Sequence, residues 1–275
     1  MMLVMYWRVR RTHPASGTVS LSYMVGFTVG IAMFLGSLLL PDDVRWIVWL
    51  LAIAAEIAYF ARPQNLRATM EWGPDDHHLV ERFGIFTIIV LGEAFVKVLD
   101  DAQGTSLGFD QMLMGIVIVI LLFSLWWLHF SDSADHVYDT HSTAKLLSWS
   151  YGHLFLAASL VMFGVASKKV FAQSIDDAAK YLKEETRLLL TAALVIFFIA
   201  QMLINAGHDR AKTSSNYRHR ILAFAGAAAM VAIVGVTVTG LSSLLFTGLL
   251  AVLALVMVAR SVAEARSLPT HGEYR

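Results

Sequence analysis

The sequence predicts an all-α fold, a polytopic helix bundle embedded in a membrane. Three observations carry this. Hydrophobic residues make up 57% of the 275 and charged residues only 15%, against about 25% charged in an average soluble domain. The mean hydropathy is +0.63. Eight apolar stretches recur along the chain, most of them close to the length of about 20 residues that a hydrocarbon layer of about 30 Å demands. A soluble chain could not cover so much apolar surface with so few charges. The chain has no cysteine, which excludes disulfides and thiolate metal sites. Its 21 Lys+Arg balance 21 Asp+Glu, which argues against a nucleic-acid surface.

The eight predicted spans run Val19–Leu40, Trp46–Ala61, Phe83–Leu99, Phe109–Phe130, Leu146–Ser167, Leu188–Ala206, Ile221–Thr239 and Leu244–Ala259. They are too long and too rich in Leu, Ala and Met for barrel strands, which alternate over about 10 residues. Only a helix satisfies its own backbone segment by segment in lipid. Turn-forming residues fall between them. Pro41-Asp42-Asp43 divides the first pair, Pro63 follows the second span, Asp100-Asp101 follows the third, and Gly240-Leu241-Ser242-Ser243 joins the last two. Trp46, Trp49, Trp72, Trp126, Trp127 and Trp149 lie near span ends, as an interfacial aromatic belt places them.

Counting Lys and Arg by side sets the orientation. The side of the amino terminus holds fourteen of the 21, the other side seven, so both termini are expected in the cytoplasm. The segment Lys168–Arg187, with five basic residues, is then an outer loop that runs against the trend. Met1–Val9 is apolar, short and followed at once by Arg10 and Arg11. It lacks the basic–apolar–small order of a signal peptide and reads as the last turns of a membrane helix. Met24–Ile57 laid over Leu222–Leu255 brings apolar spans and turns into register. This predicts an internal repeat with a unit of six helices. Residues 1–82 are then the remnant of an amino-terminal repeat (stub, two transmembrane helices, cytoplasmic loop), 83–260 a complete six-helix repeat, and 261–275 a cytoplasmic tail.

Ionisable residues inside spans are the candidates for function. In His77–Lys97, HHLVERFGIFTIIVLGEAFVK, a helix puts Arg82, Phe86, Ile89, Glu93 and Lys97 within about 80° of one face. Glu93 lies ten residues past Phe83, about 15 Å deep at 1.5 Å per residue. A charge at that depth costs about 2.5–3.5 kcal/mol on insertion scales. It is either an ion, proton or substrate contact, or half of a structural pair with Lys97, which follows in the favourable order. Glu81 stands beside Arg82 at the head of this span. Glu56 lies within the second span and His153 about 10 Å into the fifth, where a packing histidine bonded to a backbone carbonyl is the plainer reading. Gln201 and Asn205, one turn apart, are placed to bridge helices.

The stretch Trp126–His141, WWLHFSDSADHVYDTH, sets His129, Asp132, His136 and Asp139 along one face. With His77, His78 and Glu81 approaching on the same side, the residue types suit zinc or another metal bound by imidazole and carboxylate. No standard zinc spacing occurs, and a solvated helix end is the plainer reading. Neither a nucleophile elbow, a Walker loop, a dinucleotide fingerprint nor an H-E-x-x-H motif is present, so neither a catalytic residue nor a cofactor is assigned.

HHLVERFGIFTIIVLGEAF, WWLHFSD and WSYGHLFLA resemble the bacterial low temperature requirement protein A family, over about Arg8–Arg260. The family more often shows Tyr where this chain has His129. Its members begin with an acidic, aromatic block of the FFDLVFVFA kind that this chain lacks, which fits the expectation of missing amino-terminal helices. The resemblance implies a multi-pass protein of the bacterial inner membrane but no reaction.

Two function classes differ in chemistry. One is a transporter or channel passing an ion or small solute by a Glu93/Lys97/His153 set. Its paired six-helix layout is similar to that of two-repeat lysosomal potassium channels at the level of architecture. The other is an intramembrane metal hydrolase built on His77, His78, Asp132, His136 and His153, as multispan lipid amidases use His and Asp. A third option is a non-catalytic membrane protein of envelope or stress adaptation. The expected partners are the lipid bilayer, an ion or small solute, and a second copy of the chain.

Overall fold

A computed structural model describes residues 1–71, 76–102, 108–133, 142–175, 181–207 and 217–267. Among these residues every regular element is a helix, with no strand. The helices are α1 (Met2–Thr12), α2 (Gly17–Ser37), α3 (Asp42–Phe60), α4 (Pro63–Glu71), α5 (Asp76–Ala102), α6 (Phe109–Ser133), α7 (Thr143–Ile175), α8 (Glu184–Gly207), α9 (Tyr217–Thr237) and α10 (Ser243–Ser267). Among the described residues six segments are long and apolar enough to cross a membrane: Pro14–Ser37, Phe109–Ser131, Thr143–Ile175, Glu184–Gly207, Arg218–Thr237 and Ser243–Glu264. The second and third expected spans are helical as α3 and α5. They fall outside this set because α3 carries Asp42, Asp43, Arg45 and Glu56, and α5 carries Glu81, Arg82, Glu93 and Lys97.

Two expectations change. Lys168–Arg187 is not one loop: α7 runs on through Lys168 and Lys169 to Ile175, and α8 begins at Glu184. Exposed lysines do not stop a helix, and no Gly or Pro breaks this one. The stretch after the second span is not all loop either. Pro63 opens α4, since proline suits a first helical position where its missing N–H is no loss.

The chain forms two compact units. In the first, α2 and α3 make an antiparallel hairpin. Pro41 is the N-cap of α3, and Asp42 and Asp43 occupy its first turn, where negative charge suits the helix dipole. Small residues bring the helices together. A Cβ on Gly26 would strike the end of the Phe60 ring, and one on Gly30 would strike the Glu56 carboxylate. Further along, Trp49 Nε1 donates to Ser37 Oγ at 2.8 Å. These three pairings step one way along α2 and the other way along α3, so they fix a single register. Arg45 closes the turn. It donates to Ser37 O (3.3 Å) and Leu40 O (3.1 Å) and pairs with Asp42 at 2.7 Å. At the other end Tyr6 of α1 stacks on Tyr23 at 5.1 Å, and Ser22 donates to Asn65 of α4 at 2.9 Å.

The second unit holds the main core, with Met114, Leu121 and Leu125 of α6, Leu156 and Phe163 of α7, Phe197 and Phe198 of α8, and Phe246 of α10 all buried. α8 packs along α9, and α10 along α6. Glycines again allow close approach. A Cβ on Gly152 of α7 would lie 3.0 Å from Ile204 N of α8, and one on Gly164 would lie 3.0 Å from Ala94 Cα of α5. Arg187, 9% exposed, reaches from the first turn of α8 to donate to Gly235 O at 2.6 Å. It thereby satisfies a carbonyl at the negative end of α9. Glu264 of α10 sits between Arg220 (3.0 Å) and Arg260 (3.7 Å).

Candidate functional site

The buried polar centre of the second unit is built by α6, α7 and α8. Each follows the same logic: a stripe of large apolar residues faces the core, and one polar side chain interrupts it. On α6 the stripe Leu121, Leu125, Leu128 continues into His129, 2% exposed. On α7, Trp149 and Leu156 flank His153, 6% exposed. On α8, Leu194, Phe197 and Phe198 lead to Gln201, 1% exposed. Burial of these groups requires hydrogen-bond partners.

Those partners set the tautomers. Gln201 Nε2 lies 3.3 Å from His129 Nδ1. The amide nitrogen can only donate, so Nδ1 accepts and a neutral His129 carries its proton on Nε2. His153 Nδ1 lies 2.9 Å from Trp149 O. A carbonyl only accepts, so Nδ1 donates and Nε2 of His153 is the acceptor nitrogen. The two imidazoles stand edge to face with ring centroids 5.8 Å apart. Aromatic rings enclose them. Phe83 of α5 lies 4.6 Å and Trp149 4.3 Å from His153, and Phe130 lies 4.9 Å from His129. One turn beyond, Asn205 Nδ2 donates to Gln201 O at 2.9 Å, which holds the glutamine backbone while its side chain turns to α6. The arrangement sets two neutral imidazoles of opposite tautomer side by side among aromatic rings.

The structure joins His129 and His153 but does not bring Glu93 to them. α5 turns Phe83, Thr87, Leu91 and Ala94 toward the core of its unit and Glu93 away from it. The Glu93 side chain is 63% exposed and pairs with Lys97 at 3.5 Å. Arg82 is exposed on the same helix, and Glu81 lies 3.7 Å from His78 in an exposed i,i+3 pair. Glu56, in the first unit, lies half-buried against Gly30. The side chains of His77 and Asp132, and His136 and Asp139 altogether, lie outside the described residues. Among those described, no three His, Asp or Glu side chains gather to hold a metal. The pairing of Gln201 with His129 escapes sequence reading. The signal was a glutamine and a histidine each on the apolar stripe of its span, but nothing in the order of residues says that the two stripes meet.

Long apolar helices packed through glycines around a small polar centre define a polytopic α-helical membrane protein. The particular family follows from sequence comparison. Residues 1–259 match the family model of the bacterial low temperature requirement A protein (LtrA), and the chain belongs to that family. It is similar to an uncharacterized protein of Rhizobium meliloti (strain 1021), with 24% identity over 174 residues. That match covers 57% of this chain and 41% of the relative, so the chain spans less than half of that protein's length. No solved structure matches the chain.

Proposed function

We propose that this LtrA-family membrane protein moves a proton or a small polar solute across the bacterial inner membrane, with the His129–His153–Gln201 centre as the polar element of the path. One observation carries the reading: two histidines and a glutamine from three helices are buried together, with Gln201 bonded to His129 and the two imidazoles 5.8 Å apart. Intramembrane ionisable residues are rare and mark substrate paths, ion paths and proton relays. The described side chains of this centre include no carboxylate, which favours a proton or a neutral hydrogen-bonding solute over a metal cation. Glu93 and Lys97 form a second polar element, on the outer face of α5.

In this reading α3 and α5 also cross the bilayer, making eight spans with both termini in the cytoplasm. The α2–α3 and α9–α10 hairpins are equivalent parts of an internal repeat. In support, when Met24 is laid on Leu222, α2 and α3 begin within three residues of α9 and α10. The test is flux of purified protein in liposomes. His153→Phe keeps an aromatic ring and removes both nitrogens. It is expected to abolish flux while the protein stays folded, and Glu93→Gln should do the same if the outer element also serves the path.

A second reading has one specific support, the bond from His153 to the carbonyl one turn earlier. It makes the centre a packing device in a non-catalytic protein of envelope or stress adaptation. In that case His153→Phe leaves no flux to lose and changes only thermal stability in detergent.

A further inference from the structure

The first unit gathers arginines at one end. α1 runs antiparallel along α2, since Tyr6 lies 5.1 Å from Tyr23 and 6.1 Å from Phe27, and a Cβ on Gly17 would lie 3.7 Å from Arg10 Cγ. Tyr23 also meets Phe60 of α3 at 5.2 Å, and Asn65 of α4 donates to Tyr59 O at 2.7 Å. The ends of α1 and α3 and the start of α4 are therefore neighbours. They bring together Arg8, Arg10, Arg11, Arg62 and Arg67, all exposed. Among the described residues no carboxylate pairs with any of the five. Asp42 and Asp43 stand at the opposite end of the hairpin. Arg11 lies instead over the Trp7 ring at 4.0 Å, and Arg62 over the Tyr59 ring at 5.0 Å. A stacked guanidinium keeps the N–H groups along its edge for an anion.

Tyr6 fixes which side of α1 meets α2. At about 100° per residue the opposite side carries Val4, Met5, Arg8 and Arg11 within about 120°. Val4 is 66% and Met5 58% exposed. Followed along the helix, this side is apolar for one turn and basic for the next. α2 belongs to a segment apolar enough to span from Pro14. The antiparallel course of α1 sets Arg8 and Arg11 nearer the start of that span and Val4 and Met5 deeper beside it.

We propose that this side of α1 binds an anionic phospholipid. Arg8 and Arg11 take the headgroup phosphate, an acyl chain runs beside Met5 and Val4, and Arg10, Arg62 and Arg67 add to the positive field. The occupant must offer negative charge at one level and apolar length at the next. A phospholipid offers both in that order, whereas inorganic phosphate offers only the first. The guanidinium fork matches phosphate oxygens, basic clusters beside a span attract anionic lipid, and Trp7 suits the headgroup level.

The test uses the full chain in phosphatidylcholine nanodiscs, where orientation in the cell plays no part and no flux is read. The chain has no cysteine, so a single fluorophore can be placed at Val9→Cys, beside the stripe, or at Val252→Cys on α10 as the reference. The quencher is a minor fraction of brominated phosphatidylglycerol or, separately, of brominated phosphatidylcholine. At Val9→Cys the anionic lipid should be preferred about fivefold or more, the scale of one basic residue at an anionic surface. At Val252→Cys no preference is expected. Arg8→Gln with Arg11→Gln should remove the preference, Arg8→Lys with Arg11→Lys should keep most of it, and Arg62→Gln with Arg67→Gln should lower it less than the α1 pair. High salt should weaken it in the chain with unchanged arginines, a readout that stands even where the glutamine pair fails to fold. Equal quenching by the two lipids at Val9→Cys would overturn the proposal, as would a preference that survives the glutamine pair or that appears equally at Val252→Cys. Loss of the preference on adding excess inorganic phosphate would make the site one for a free anion and overturn the lipid assignment.

Discussion

The two units close their helix ends by the same device and fill their interiors by different ones. In the amino-terminal hairpin Arg45 donates to the last carbonyl of α2 and to Leu40 O in the turn beyond it, and in the six-helix unit Arg187 donates to carbonyls in the last turn of α9. Between the ends, the hairpin has a seam of glycines facing Phe60 and Glu56, which are side chains able to shift. The six-helix unit sets glycines against backbone, at Ile204 and at Ala94, and encloses a polar centre. Two helices alone bury little, so their contact has to tolerate adjustment. Six helices enclose a volume in which a polar group can be fully surrounded, and there the packing has little freedom to give.

This contrast can be broken in order of expected effect. Gly152→Val should be the most damaging change, because a Cβ there meets Ile204 Cγ1 at 2.8 Å and Ile204 N at 3.0 Å, both at or next to the backbone and unable to swing away. The expected loss is about 3 kcal/mol or more, seen as aggregation or a collapsed melting temperature in detergent. Gly26→Ala in the hairpin meets only the Phe60 ring and should cost about 1 kcal/mol.

The arginine caps come next. Arg187→Met removes a buried, charge-assisted bond and should cost about 2 kcal/mol. Arg45, whose side chain is 27% exposed, should lose less than about 1 kcal/mol on the same change, since solvent screens it. Equal losses in thermal unfolding would remove the distinction between the two ends. Gln201→Leu removes the donor to His129 and should cost about 1 kcal/mol. It should also alter flux if the histidine centre lies on the path, so measuring both quantities separates packing from transport. The smallest effect is expected for Trp49→Phe. It deletes the bond to Ser37 Oγ and should cost about 0.6 kcal/mol, the mean for an interhelical hydrogen bond in a membrane. Loss of the hairpin's register on this change would make that bond more than an adjunct to the glycines.

Most of the helices were legible because the period and the length of apolar runs are local properties. α2, α6, α8, α9 and α10 lie close to their expected spans for that reason. The ends were less legible. Nothing in composition says that α7 continues through Lys168 and Lys169, because a helix tolerates charge wherever water meets it. The direction of Glu93 was not legible, since a helix carries residues on every side and only its neighbours choose which side is inner.

The sequence by itself determined that this is an all-helical membrane protein of the low temperature requirement A family. Hydrophobicity, helix period and motif order are carried by the residues alone. Only the tertiary structure decided that His129 meets His153 and Gln201, that Arg187 caps α9, and that α5 buries Leu91 while turning Glu93 outward. Each of these joins residues distant in the chain, and which faces of the helices meet depends on how small residues let the backbones approach.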